Sequence, residues 1–498
     1  MMQGHDMRIS VIGAGIGGLS AACLLAAKGH EVTVFEKNRN AGGKMNLVAE
    51  KGFRFDTGPS LLTMPFILEN LFKECGSNIE EYLELVPLSP LCKYFYPDGT
   101  VFNNWENKEK TISEIQHFAP EDAEAYTRFL NYSSNLYSKT ADAFIFNPLY
   151  NFDDLKELDL LSFFGIDAFN TVSDRVNKEF KSSYMRQFFK RFTTYNGSSP
   201  FQAPATLNVI PHVEINQGGF YVKGGLYKIA EAFYILAKSL GAQFEFNTEV
   251  NEILIENGKA IGLKLRNEQK LLFDLVVSNS DATETIANLL PDSAISIRKK
   301  EKAKQIEPSC SGFVLMLGID KSYEQLVHHN IFFSNDYEYE FQQIFREKVM
   351  PDDPTIYLAN TSYSDPSHAQ PSGSNLFILV NAPYISKHYN WEQNEQIYGD
   401  EVISKLEDRG LENLKNHIVF RDSITPSDFY SKYYSNKGSI YGTSSNDKFS
   451  AFLRPRNKSK EIDGLYLVGG STHPGGGIPL VVQSAINAVD LIHRFEES

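Results

Sequence analysis

The sequence predicts an α/β protein: a Rossmann-like dinucleotide-binding domain joined to an antiparallel-sheet domain and a largely helical lid. Three observations predict it. Residues 8–36 read as strand, glycine turn, helix, strand. Residues 120–137 and 155–192 carry helical patterns, and 310–449 alternates strand-like runs with polar loops.

The first of these is the most specific. Residues 8–12, RISVI, form a short β-branched run, and GAGIGG follows at once, so a parallel strand hands over directly to a helix. Residues 19–28 are rich in Ala and Leu with Gly29 just past their end, and EVTVF at 31–35 reads as the next strand, closed by Glu36. Each glycine has a separate task. Gly13 permits the tight turn, Gly15 lets backbone approach a pyrophosphate, and Gly18 lets the helix pack closely on the strands. The helix N-terminus offers free N–H groups and a positive dipole end to the phosphates, and Ile16 and Gly17 in the turn before it are candidate cofactor contacts. Glu36 lies 23 residues past Gly13, where the adenosine ribose hydroxyls are expected, with Lys37 beside it. A plain βαβ unit would leave the spaced glycines and Glu36 unexplained.

Composition narrows the class. At 498 residues and 42% apolar content the chain can bury substantial cores in two or three domains. A net charge of −14 argues against a nucleic-acid partner, which calls for a basic surface. Cys23, Cys75, Cys92 and Cys310 share no CxxC or Cys/His spacing, so no disulfide framework or metal site is expected and a reducing cytoplasm fits. Residues 1–7 are too short and polar for a signal peptide, and no run of about 18 apolar residues occurs. The 36 Phe and 25 Tyr suit a site for a large apolar ligand, or ordinary core packing.

After the second strand come Arg39-Asn-Ala-Gly42-Gly43-Lys44 and then GFRFDTGPS at 52–60. Here the chain resembles the FAD-dependent amine oxidase and phytoene desaturase superfamily, whose second glycine doublet, usually followed by Arg, runs along the flavin phosphates. Lys44 replaces that Arg. A nicotinamide dehydrogenase has no such doublet, so FAD is favoured over NAD. The resemblance implies cofactor contacts at Gly43, Lys44, Gly58, Pro59 and Ser60.

Further along, residues 94–102 read as a hairpin about a Pro-Asp-Gly turn. KEFKSSYMRQFFKRF at 178–192 reads as one amphipathic helix, with Phe180, Tyr184, Phe188 and Phe192 every fourth residue and Lys178, Lys181, Arg186, Lys190 and Arg191 elsewhere. Two readings stand: a face touching an anionic membrane or lipid entrance, or a lid packed on the core with solvated charges. Residues 196–204 and 218–225 are similar to turns of the phytoene desaturase branch, and Glu214 precedes Gly218 as a Glu does there, although Ile215 stands where that branch often has Arg. Thr248-Glu249-Val250 matches a T-x-V whose valine meets the adenine, and VVSNSDA at 276–282 resembles a strand end flanking FAD, which implies Val250, Ser278 and Asp281.

The C-terminus completes the resemblance. A strand ends in Gly469-Gly470, STHPGGGIP follows at 471–479, and a helix closes the chain. A helix N-terminus is the electrostatic partner that a flavin's negative N1–C2=O edge needs, which implies Gly470, Gly477, Ile478, Pro479 and Val482. HPGGGIP is similar to the carotenoid desaturase signature and unlike amine oxidases. The resemblance therefore spans nearly the whole chain. It implies a discontinuous FAD-binding domain (1–75, 220–305, 450–498), a helical lid or membrane-facing domain (76–219) and a substrate-binding antiparallel sheet (306–449).

The function it implies is an FAD-dependent desaturase introducing a conjugated C=C into a carotenoid. DTGPSLLTMP and GSTHPGGGIPL resemble the 1-hydroxycarotenoid 3,4-desaturases most; phytoene desaturase or carotenoid isomerase is the alternative. A non-redox prenyl-lipid carrier of the GDP-dissociation-inhibitor type is the reading from another class. Glu214 and His473 are the candidates for proton removal, against structural roles as a hydrogen-bond anchor and a turn residue. The implied partners are a carotenoid, a membrane surface and oxygen or a quinone as electron acceptor, with the protein cytoplasmic and peripheral to the inner membrane.

Overall fold

The computed structural model describes residues 6–147, 166–167, 169–446 and 454–497. The helical reading of 155–165 and the expected junction at 450 lie outside these residues.

Arg8–Ile12 is the central strand of a five-stranded parallel sheet in the order Leu465–Leu467, Leu275–Ser278, Arg8–Ile12, Glu31–Phe35, Gln243–Glu245. Both faces are covered, as a parallel sheet requires. Ile9, Val11, Val34 and Val277 pack on the helical side, while Ile12, Val276, Leu465 and Leu467 pack towards a three-stranded sheet of Val250–Glu256, Lys259–Leu265 and Lys270–Leu272. Helix Ile16–Ala27 is buried from Ile16 to Ala26 because it is apolar all round, and it lies against helices Tyr227–Ser239 and Ile478–Glu496.

A second, seven-stranded sheet runs Ile418–Ile424, Ser311–Ile319, Ser374–Ala382, Ile356–Asn360, His329–Phe332, Cys92–Phe95, Val101–Asn104. Its middle is antiparallel, with every residue of Ser311–Ile319 buried and Leu315 opposite Ile378. The hairpin at 94–102 does form, but it belongs to this sheet rather than to the helical segment around it. Cys92–Phe95 pairs with His329–Phe332, and in parallel, a long-range pairing that no local pattern announces.

The segment 178–192 is not one helix. Helix Val172–Glu179 stops at Phe180, which is extended (φ −107°, ψ 142°), and a new helix, Ser183–Lys190, starts after the Ser182 cap. Asp122 makes the break: its buried carboxylate accepts from the backbone N–H of Lys181 at 2.9 Å and of Ser182 at 2.7 Å. Phe180, Phe188, Phe189 and Phe192 are at most 2% exposed and pack with Phe129, Tyr126 and Tyr94. The aromatic stripe therefore faces protein, not a bilayer, and Arg191 is buried with it.

Candidate active site

The two sheets and the lid enclose a cavity of about 650 Å³. One end is walled by glycine turns. Gly13 (φ +90°) makes the first, and its N–H donates to the Phe35 carbonyl at 2.8 Å. Gly42 N–H donates to the Ala14 carbonyl at 2.8 Å, which brings the second glycine pair alongside the first. A Cβ on Gly43 would stand 3.2 Å from Gly15 Cα, and Cβ atoms on Gly15 and Gly17 would stand 2.8 and 2.6 Å from the Asn279 side chain. At the far side Gly477 (φ +102°) has no atom within 4 Å of a Cβ, so a side chain there would project into the cavity it lines. Neither helix Ile16–Ala27 nor helix Ile478–Glu496 has a side-chain N-cap, and the first residues of both line the cavity. Two positive dipole ends thus face one space lined by glycine backbone, the donor set that a dinucleotide's phosphates and a flavin's electron-rich edge require.

Glu36 is 5% exposed and prepared for a ligand. Its Oε2 accepts from Ala14 N–H at 2.8 Å, and its Oε1 from the backbone N–H and Nδ2 of Asn38, each at 2.8 Å. A carboxylate has about four lone-pair sites, so acceptor capacity remains for hydroxyl groups. Lys37 stacks on Tyr434, with Nζ 3.2 Å from the ring centroid, and burial lowers its pKa. Lys44 is pushed down to about 8 by burial, partly opposed by Asp281, and its Nζ donates to the Ser439 and Ile440 carbonyls at 3.2 and 2.8 Å. Burial raises Asp281, with Lys44 acting against the rise.

The cavity continues into a chamber walled by Leu91, Val314, Ile331, Phe377, Leu379 and Ile440. Its polar groups gather around Arg191. Arg191 Nη2 lies 2.6 Å from Glu214 Oε1 and donates to Tyr94 Oη at 2.5 Å, while Tyr195 Oη–H donates to Glu214 Oε2. Burial alone would lower the Arg191 pKa, but the charge of Glu214 holds it well above its ordinary value. Across the chamber Tyr357 Oη lies 2.7 Å from His329 Nδ1 and is hydrogen-bonded to Ser60 Oγ. Burial drives His329 far below its ordinary pKa, so the ring is neutral.

Of the residues read from the sequence, Gly13, Gly15, Ile16, Gly17, Glu36, Lys37, Gly43, Lys44, Gly58, Pro59, Ser60, Glu214, Val250, Asp281, Gly470, Gly477, Ile478 and Pro479 line this cavity. Gly18 does not line it and does the packing task read for it, since a Cβ there would collide with the Gly13 carbonyl. Four expectations are corrected. Ser278 does not line the cavity, its hydroxyl standing 2.8 Å from that of Thr285 in the helical turn that follows the strand. Val482 is fully buried in the core, and the helix phase puts Val481 on the wall instead. His473 lies behind the wall, with Nε2 3.1 Å from the Asn147 carbonyl and a pKa pulled to about 4 by burial. Glu214 is on the wall, but both its oxygens are held by Arg191 and Tyr195, which makes it a counter-ion rather than a free base. The sequence reading missed Arg191, His329, Tyr337 and Tyr357. Only Arg191 had a signal, a cation inside an aromatic stripe.

Comparison with known proteins agrees with this geometry. The model of flavin containing amine oxidoreductases matches residues 16–493. The chain belongs to that family. Its cofactor is FAD, for which the glycine cradle and paired helix ends fit, and bound FAD supplies a hydride acceptor that no side chain offers. This FAD-dependent oxidoreductase is 39% identical over 490 residues to a 4,4'-diapolycopene oxygenase of Methylomonas sp, covering 97% of both chains. It is 35% identical over 491 residues to a 4,4'-diaponeurosporene oxygenase of Staphylococcus haemolyticus, covering 98% of this chain and 97% of the relative. Cyclohexylamine oxidase from Brevibacterium oxydans shares the fold, with a TM-score of 0.64 at 14% identity over 99% of this chain and all of that one.

Proposed function

We propose that this flavoenzyme oxidises a long-chain carotenoid of the diapocarotenoid class, as an oxygenase acting on one end of the polyene. The observation that carries the reading is the continuity of one cavity from the glycine cradle to a chamber walled by Leu91, Val314, Ile331, Phe377, Leu379 and Ile440. An apolar wall suits a hydrocarbon substrate, and the buried Arg191 among the chamber's polar groups is already paired with Glu214. The names of the two relatives support the diapocarotenoid class and favour oxygen insertion over the 3,4-desaturation of a 1-hydroxylated end implied by the sequence motifs. Both outcomes begin with removal of hydrogen from an unactivated carbon. They part at whether the oxidised carbon is captured by water, which releases a proton as the C–O bond forms, or its neighbour loses a proton to give C=C.

The same reading takes oxygen or a quinone as the electron acceptor and places the enzyme in the cytoplasm at the inner membrane surface, where such a polyene dissolves. No helix among the described residues is long and apolar enough to cross a membrane. Phe169, 77% exposed beside the lid helix Val172–Glu179, supports a docking face better than the buried stripe does.

Expression in cells accumulating defined carotenoids, followed by pigment mass analysis, tests the reading. A diapocarotenoid that gains oxygen supports it. A product lighter by two hydrogens, formed only from a 1-hydroxylated carotenoid, shifts the assignment to 3,4-desaturation, and unchanged pigment from every strain contradicts both.

A further inference from the structure

Strand Ser374–Ala382 lies between Ser311–Ile319 and Ile356–Asn360 in the seven-stranded sheet, and all but two of its residues are buried. The two are Leu379 and Asn381, which share one face of the strand with Phe377 and line the cavity with it. The surface that Asn381 keeps therefore belongs to the cavity. Phe377 and Leu379 make this face apolar, and Asn381 ends it with an amide. Taking an amide out of water costs free energy unless it is hydrogen-bonded. Among the described residues, Asn381 Oδ1 meets only the Cys310 thiol, at 3.9 Å, and Nδ2 donates to no protein atom. Nor is Nδ2 sealed in protein, as the unmatched amides of Asn104 and Asn208 are. By contrast, Arg191, Glu214 and Tyr195 bond one another, as do Tyr357, His329 and Ser60. A short run of contacts leads from Asn381 to the glycine turn that opens helix Ile478–Glu496. Asn381 stands opposite Gly312 in the ladder, and a Cβ on Gly312 would lie 2.7 Å from Ile440 Cδ1. The ring of the next residue, Tyr441, would stand 3.2 Å from a Cβ on Gly476.

We propose that Asn381 is a specificity-determining residue whose amide donates to an uncharged oxygen, hydroxyl or carbonyl, on the end of the bound polyene. A side-chain amide carries two N–H donors and no charge, so it binds such an oxygen without adding a buried ion. A hydrocarbon end finds no partner there and leaves the amide unsatisfied. The subsite rests on the carotenoid reading and deepens it: an end that already bears oxygen is held in preference to one that does not.

The test uses the full-length FAD-loaded protein and two polyenes of equal length, a hydrocarbon and its terminal aldehyde, with dissociation constants from quenching of protein fluorescence. The wild type is expected to bind the aldehyde about fivefold more tightly, the factor that one modest hydrogen bond gives. The C=O stretch of the bound aldehyde should fall below its frequency in detergent. Asn381→Leu keeps the size of the side chain and removes its donors, and Asn381→Ala removes them without adding bulk. In both variants the two polyenes should bind alike and the C=O stretch should return to its detergent frequency, with flavin content unchanged as the control for folding. Equal wild-type binding of aldehyde and hydrocarbon overturns the subsite while leaving the carotenoid reading intact. An undiminished aldehyde preference in both variants overturns it too, and if flavin absorption changes in them before any polyene is added, the amide belongs to the cofactor. Failure of both polyenes to bind contradicts the carotenoid reading itself, and the subsite with it.

Discussion

Arg191 Nη2 stands 2.6 Å from Glu214 Oε1, and both side chains are almost completely buried where the cavity ends. The relationship decides what Glu214 does. Removing one partner of a buried ion pair strands the other charge, at about 3–5 kcal/mol. Glu214→Ala should therefore lower the unfolding free energy by roughly that amount, read by denaturant titration of the FAD-loaded protein. A variant that keeps wild-type stability while losing turnover would restore Glu214 as a base.

Glu36 uses both oxygens to bind Ala14 N–H and Asn38 before any ligand arrives. Glu36→Ala should leave the Ala14 N–H unsatisfied, cost about 1–3 kcal/mol of stability and lower FAD occupancy. The spectrum of products from a mixed carotenoid pool should stay the same. A changed product spectrum at full FAD occupancy would place Glu36 in the substrate chamber.

The glycine turn can be tested for what it makes room for. A Cβ on Gly15 meets Asn279 Nδ2 at 2.8 Å, so Gly15→Ala alone confounds a packing clash with a blocked cofactor site. In an Asn279→Ala background the clash is gone. Flavin loss that persists in the double variant shows that the side chain occupies cofactor space, and full recovery of bound FAD shows that Asn279 alone required the glycine.

His473 gives a pH signature. Burial holds it at about 4, against an ordinary value of 6.5, so the folded ring stays neutral where the unfolded one charges. The depressed folded pKa means that the unfolded state binds more protons between these values. Stability is fully present above about pH 6.5 and is lost as pH falls towards 4, by about 3 kcal/mol. His328, held at about 3 by burial, adds to the same window. His473→Gln should flatten part of this slope in urea unfolding midpoints taken across the window. An unchanged slope would show that the imidazole is not buried neutral.

The parts of the protein legible in sequence are those whose chemistry is local. A tight turn, a close strand–helix approach and a helix start each need particular residues within a few positions, so Gly13, Gly15 and the Gly477–Pro479 turn announced themselves, and Gly18 announced its packing task. The chamber is different. Tyr94, Arg191, Glu214, His329 and Tyr357 meet only because a parallel pairing joins Cys92–Phe95 to His329–Phe332, and nothing near any of them in sequence marks that pairing. The stripe at 178–192 admits two readings in sequence for a related reason: periodicity identifies residues that share a face but not what covers it, and Asp122, far upstream, breaks the segment into two helices whose aromatics pack inward. Val482 was one residue out of phase with Val481, the scale on which a helix exchanges a core position for a wall position.

The cradle and the apolar chamber form one cavity, and in the proposed function a polyene delivers its electrons directly to FAD bound there. Anaerobic mixing of the purified, oxidised, FAD-loaded protein with a diapocarotenoid in detergent measures this directly. The flavin's visible absorbance is expected to bleach with no other reductant present, one polyene is oxidised per flavin, and oxygen or a quinone restores the colour. A polyene that binds the protein while the flavin stays oxidised would contradict it.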